Sequence, residues 1–181
     1  MIQLKQLLKE LSEPEISVYL DKIKNKDFKF IGRGDNGRVY KINGEDKVFK
    51  VTTERDEYEV AAIIVGRWSE FTTFIPVYYV NNKEHMFIMA NAELASERIQ
   101  SDINSFMDRF KQFSRNEGGE VSIFDFLDAD GSNNTPPEIV NFLRALQRDV
   151  AKLNIPEFDL DLDFSSHNVM TWNNKLVLVD W

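Results

Sequence analysis

Three times in this chain, two β-rich runs close around a residue pair containing asparagine. VYKI and KVFKV flank Asn43-Gly44, VYYV and HMFIM flank Asn81-Asn82, and VMTW and KLVLV flank Asn173-Asn174. Asn-Gly between such runs is a strong short-range hairpin signal, and Asn-Asn is a weaker form of it because asparagine tolerates positive φ. Three hairpins are therefore expected, and they constrain the fold more than any other feature. Outside them the period is helical. Ile2, Leu4, Leu7, Leu8 and Leu11, then Ile16, Tyr19, Leu20 and Ile23, predict two short amphipathic helices broken at Ser12-Glu13-Pro14. The stretch RDEYEVAAIIVGRW places Glu57, Ala61, Ile64 and Trp68 on one helical face, which turns a carboxylate inward. Residues 94–114 read as helix, with Phe106, Phe110 and Phe113 as core. The polar, Gly-rich stretch 115–137 interrupts, and helix resumes from Pro136-Pro137 to Leu153. The class is α+β: a β-rich first half, a helical second half and a closing β-hairpin.

The 181 residues carry 30 acidic and 22 basic side chains, a formal charge of −8, which argues against nucleic-acid phosphates or anionic lipid as the main partner. No apolar run is long enough to span a bilayer and no secretory leader is legible, so the expected location is cytoplasmic. Cysteine is absent and histidine occurs only as His85 and His167, so any metal here must rely on oxygen ligands.

The stretch GRGDNGRV, residues 32–39, matches G-x-G-x-x-G-x-V and lies between two strand-like runs. A dinucleotide fold needs a helix after the third glycine, whereas a strand and an Asn-Gly hairpin follow here. Such a loop can fold over phosphates with its N–H groups turned to oxygen, or can be no more than a flexible turn. Lys50, thirteen residues after Gly37, is placed to reach phosphate oxygens from the sheet, and an inward helical carboxylate would hold it. Glu57 is the candidate, with Glu54 and Glu59 as rivals. In LDLDFSSHNVMTWNNKLVLVDW, Asp163 precedes Asn168 by five residues, and Asn168 opens the hairpin whose far strand delivers Asp180. Asn168 and Asp180 facing each other across the hairpin mouth would offer hard oxygen ligands to Mg²⁺, beside a carboxylate able to orient an attacking hydroxyl. The calcium-loop look of DADGSNN fails at Asn133 and Ile139 and reads as a turn. Asp159 and Asp161 read as solvent-facing.

The ordered set of Gly32, Gly34, Gly37 and Val39, then Lys50, an inward Glu, Asp163 to Asn168, and Asp180 resembles the protein-kinase-like superfamily, and in detail the small serine/threonine kinases of bacteriophages. The resemblance implies a kinase N-lobe over 27–90 and an abbreviated C-lobe over 91–181, preceded by a helical extension over 1–26. It implies ATP and Mg²⁺ as cofactors, Asp163 as catalytic base, and Asn168 and Asp180 as metal ligands. Lys50 would contact the α- and β-phosphates and be held by Glu57, Val39 and Val48 would wall the adenine, and Met89 to Ala92, Asn91 included, would form gatekeeper and hinge. The implied substrate is a protein hydroxyl, on a host protein or on the chain itself, in the host cytoplasm if the chain is phage-encoded. A pseudokinase that binds a host protein and an aminoglycoside-type phosphotransferase are the alternatives. Departures from the pattern are Asp161 and Leu162 where the family has His-Arg, Ser165 two residues after the base, with His167 as a possible substitute, and Trp181 in place of Phe. The resemblance stops just after Asp180, which fits a natural minimal kinase whose N-terminal helices, a homodimer partner or another subunit cover the second lobe, or else a truncated product that binds nucleotide poorly.

Overall fold

The structure, a computed structural model, describes residues 13–34, 37–118, 121–154 and 164–180. The first of the two N-terminal helices, the tip of the glycine loop, Asp159, Asp161, Leu162, Asp163 and Trp181 lie outside the described residues. The chain divides into two compact units, one running to Asn91 and the other from Ala92, with Thr72–Phe74 belonging to the second.

Among the described residues the first unit has a five-stranded antiparallel sheet and two α-helices. It runs α1 (Glu13–Lys24), β1 (Phe28–Arg33), β2 (Gly37–Ile42), β3 (Lys47–Thr52), α2 (Arg55–Ile64), β4 (Val77–Asn81) and β5 (Met86–Ala90), with strand order β1-β2-β3-β5-β4. Opposed residues of antiparallel strands share a face. The register Tyr40↔Phe49 and Phe49↔Ile88 therefore puts these three side chains on one face, and α1 covers it. Tyr19 of α1 joins Ile42, Phe49, Met86 and Ile88 in one buried cluster, with Leu20, Ile23, Phe28 and Tyr40 at its margin. The Tyr40 and Phe49 rings stack with centroids 4.8 Å apart. Each such side chain taken from water stabilises by about 1.5–3 kcal/mol, which is why the helical period of residues 16–23 appears as a docked helix.

The opposite face belongs to α2, which contacts β3, β4 and β5 and buries Glu57, Val60, Ala61 and Ile64. Trp68 does not share that face. The helix stops at Ile64, Gly66 takes φ +73°, and Trp68 starts a separate 3₁₀ turn, Trp68–Glu70. A left-handed glycine ends the α-helical period that the sequence pattern extends to residue 68.

All three hairpins form, with different turns. At the last, Trp172 pairs with Lys175 around Asn173 and Asn174, at φ 48° and 60°, the two left-handed residues a tight two-residue turn requires. At the first, Gly44 alone is left-handed, at φ 74°, and Glu45 and Asp46 lengthen the loop. At the second, Asn81 stays in its strand and its side chain accepts from the Lys83 and Glu84 N–H groups, while His85 takes φ 45°.

The second unit contains β6 (Glu93–Leu94), α3 (Glu97–Glu117), α4 (Ile123–Phe126), a π turn (Leu127–Gly131), α5 (Pro137–Leu153), β7 (Val169–Trp172) and β8 (Lys175–Leu178). The order of its small sheet is β6-β7-β8. Both α4 and β6 differ from the sequence expectation. α4 arises inside the polar stretch 115–137 because Ser122 and Asp125 form a reciprocal capping box, which allows a single turn to bury Phe124 and Phe126. Phe126 is the hub of the aromatic core: the rings of Phe106, Phe110 and Phe113 lie 5.2, 5.8 and 5.2 Å from its centroid. The DADGSNN stretch enters the π turn, and Asp128 pairs with Arg144. No helix among the described residues is long and apolar enough to cross a membrane.

Candidate active site

The residues singled out in the first half of the chain gather on one face of the five-stranded sheet. Gly32 opposes Val39, Val39 opposes Lys50, Lys50 opposes Phe87, and Val48 opposes Met89. Gly37 enters the same row opposite Thr52. The face away from α1 thus carries Gly32, Gly37, Val39, Val48, Lys50 and Met89 in adjacent register positions. The β1–β2 hairpin closes through the Gly34 N–H, which donates to the Gly37 carbonyl at 3.1 Å. At Gly37 the backbone is packed so tightly that an added Cβ would lie 2.6 Å from the Val51 carbonyl oxygen, closer than real Cβ atoms come, and 3.1 Å from Lys50 Cε, a tight contact with the end of a flexible side chain. Gly32 has open space around it. The two glycines therefore differ: Gly37 is required by contact with the strand that carries Lys50, and Gly32 is not required by any neighbour.

Of the three candidate glutamates, Glu57 is the one that pairs with Lys50. Glu59 bonds Arg55 at 2.6 Å on the exposed side of α2, and Glu54 precedes the helix. The Lys50 and Glu57 side chains are only 4% and 2% exposed. Desolvating two such charges costs several kcal/mol per ion, and an apolar pair of equal volume is often as stable or more so. Stability alone therefore gives no reason to keep this pair. Asn91 follows β5 and is tied back to the first hairpin, its N–H to the Asp46 carbonyl at 3.4 Å and its side-chain amide to the Asp46 carboxylate at 3.3 Å.

In the second unit, Asn168 and Asp180 flank the open end of the β7–β8 hairpin. Val169 pairs with Leu178, and the Val179 N–H donates to the Asn168 carbonyl at 2.9 Å. The residue directly opposite Asn168 is thus Val179, and Asp180 lies one step further along the chain. Asn168 and Asp180 thus stand at neighbouring backbone positions of the hairpin mouth. The Asn168 and Val169 N–H groups both donate to the Ser165 carbonyl at 3.1 Å, which fixes the turn that leads into β7. One amide oxygen and one carboxylate at neighbouring positions are the hard donors that Mg²⁺ accepts from protein when phosphates and water complete its shell. Asp163 is outside the described residues, and among the described residues no three of His, Asp and Glu cluster to form a metal cage.

No sequence motif marks Asp149. It lies on α5, 1% exposed, three residues after Leu146 and one before Val150 on the helix's apolar stripe. One carboxylate oxygen, Oδ2, accepts from the Thr72 N–H at 2.6 Å, the Thr72 hydroxyl at 3.0 Å, and the Thr73 N–H and hydroxyl at 2.9 Å each. The other oxygen, Oδ1, accepts from Lys152 Nζ at 2.7 Å. Burial pushes this carboxyl up, but the bonds from Lys152, Thr72 and Thr73 outweigh burial and hold it below its ordinary 3.8. The available signal was a charged residue breaking an otherwise apolar helical stripe.

No family model and no curated protein matches the chain. Among solved structures it is similar to a ternary complex of streptomycin, ATP and APH(2")-IIa, with 17% identity and a TM-score of 0.35 over 94% of this chain and 71% of that one. An overlap of that size transfers neither a fold nor an activity.

Proposed function

We propose that this chain is an ATP- and Mg²⁺-dependent phosphotransferase of the protein-kinase-like kind, acting on a protein hydroxyl. The observation that carries the reading is the buried Lys50–Glu57 pair on the sheet face that also bears Gly37, Val39 and Val48. A glycine packed against the lysine-bearing strand, two valines in adjacent register and an ammonium group anchored by a helix carboxylate form a surface suited to an adenine ring and its phosphates. Glu57 fixes Lys50, Lys50 binds phosphate oxygens, and Val39 and Val48 exclude water from the base. Asn168 and Asp180 would hold Mg²⁺, which supplies neutralisation of charge on the transferring phosphoryl group. Asp163, five residues before Asn168, takes the role of orienting the acceptor hydroxyl.

The test is incubation of purified protein with γ-labelled ATP and Mg²⁺, with added protein substrates in one arm and aminoglycosides in another, beside Lys50→Met, Asp163→Ala and Asp180→Asn. Label on protein in the wild type and in none of the variants is the expected result. Label on the small molecule alone moves the acceptor class. MgATP-dependent thermal stabilisation without any label turns the reading to a nucleotide-binding pseudokinase. Absence of stabilisation at MgATP concentrations of about 1 mM, the top of the common substrate range, rejects the nucleotide reading.

A further inference from the structure

We propose that Asp149 is a positioning residue for the metal-binding end of the last hairpin, acting through Thr72 and Thr73; this rests on the reading of Asn168 and Asp180 as Mg²⁺ ligands. The chain of contacts is continuous within the second unit. The Asp149 carboxylate takes both N–H groups and both hydroxyls of Thr72 and Thr73 on one oxygen. With its N–H side committed to the helix, Thr73 presents its carbonyl to the Leu178 N–H, which donates to it at 2.6 Å. Phe74 pairs with Leu178 as a parallel bridge. Thr73 and Phe74 thus meet the outer edge of β8 through one hydrogen bond and one isolated bridge, at the residue where β8 ends.

Two backbone bonds then fix the approach to Asp180 from opposite sides. Leu178 is held on one side by Thr73, and Val179 on the other by the Asn168 carbonyl. Asp180 is the next residue. Without the first bond, the end of β8 would be anchored on one edge only, by β7. A carboxylate suits this task because one oxygen can accept several donors at once, and bonds to an ionised acceptor are about twice as strong as neutral ones. Lys152, on the next turn of α5 and 43% exposed, balances the charge from the solvent side. Partners that orient ligands in this way affect metal affinity without touching the metal.

Asp149→Asn preserves volume and one acceptor oxygen, and Thr73→Val removes one hydroxyl donor while keeping the backbone bonds. Together they guard against a variant that simply fails to fold. Amide hydrogen exchange is read at Leu178 and Val179 in the protein without nucleotide, and Mg²⁺ is titrated at fixed ATP for its half-saturating concentration. In Asp149→Asn, Leu178 and Val179 are expected to exchange about tenfold faster while the middle of α3 keeps its protection. The half-saturating Mg²⁺ concentration is expected to rise roughly tenfold, with a smaller rise in Thr73→Val. Lys152→Met, which leaves the threonine contacts intact, should move the Mg²⁺ midpoint less than either. If both variants fold and the Leu178 exchange rate stays at the wild-type value, the inference is wrong. It is equally wrong if exchange rises and the Mg²⁺ midpoint does not, since Asp149 then serves the fold alone. If the wild type itself shows no Mg²⁺-dependent ATP binding, the functional reading fails first and Asp149 has no metal site to serve.

Discussion

Replacing Lys50 by Met and Glu57 by Leu, singly and together, separates what the buried pair does for the fold from what it does for the site. Lys50→Met leaves the Glu57 carboxylate in a position that is 2% exposed, and Glu57→Leu leaves the Lys50 ammonium at 4%. Removing one partner of a buried pair costs about 3–5 kcal/mol, because the remaining charge has lost its compensation. At about 2–4 °C per kcal/mol for a chain of this size, each single variant should melt roughly 6–20 °C below wild type. The double variant has neither charge and fills the space with apolar atoms, so it should recover to within about 1 kcal/mol of wild type or exceed it. MgATP should nevertheless fail to stabilise it, whereas saturation at a hundredfold excess over Kd adds about 2.7 kcal/mol to a binding-competent protein. The assay is thermal and urea unfolding followed by circular dichroism, with and without MgATP, for all four proteins. A double variant as unstable as the worse single would refute the argument that the pair contributes little net stability. A double variant that is still stabilised by MgATP would refute the assignment of Lys50 to phosphate.

Three further outcomes follow from the geometry. Gly37→Ala places a Cβ 2.6 Å from the Val51 carbonyl and should cost about 1–3 kcal/mol together with MgATP affinity, whereas Gly32→Ala should stay within about 0.5 kcal/mol in urea unfolding; equal costs would contradict the contact argument. Phe126→Ala empties the centre of a three-ring cluster from a position 1% exposed and should destabilise the second unit by about 3–5 kcal/mol, and a loss under about 1 kcal/mol in the same unfolding assay would show that the cluster does not carry its core. Because the folded Asp149 carboxyl is held below its ordinary 3.8, its contribution is complete above that pH and is lost as pH falls through the folded value. Unfolding midpoints from pH 7 down to pH 2 should therefore drop more steeply for wild type than for Asp149→Asn below about pH 4, and parallel acid limbs would count against the charged network.

The sequence by itself determined what depends on a few neighbouring residues. Asn173-Asn174 specifies a tight turn because asparagine accepts positive φ, alternation marks β2, β3 and β5, and the apolar stripe of α5 runs where its period places it. The α+β class and the sheet face bearing Lys50 follow from those local rules, since register propagates from a turn along two strands. Only the tertiary structure decided between Glu54, Glu57 and Glu59, because helical spacing gives a direction while the partner sits on another element. It alone revealed β6, a strand of two residues with no pattern to read, and the three-ring cluster that Phe126 of α4 packs against. Asp149 is the clearest case. Four of its five donors come from residues 76 and 77 positions away, and a charge on an apolar stripe acquires meaning only when the fold brings Thr72 and Thr73 to it.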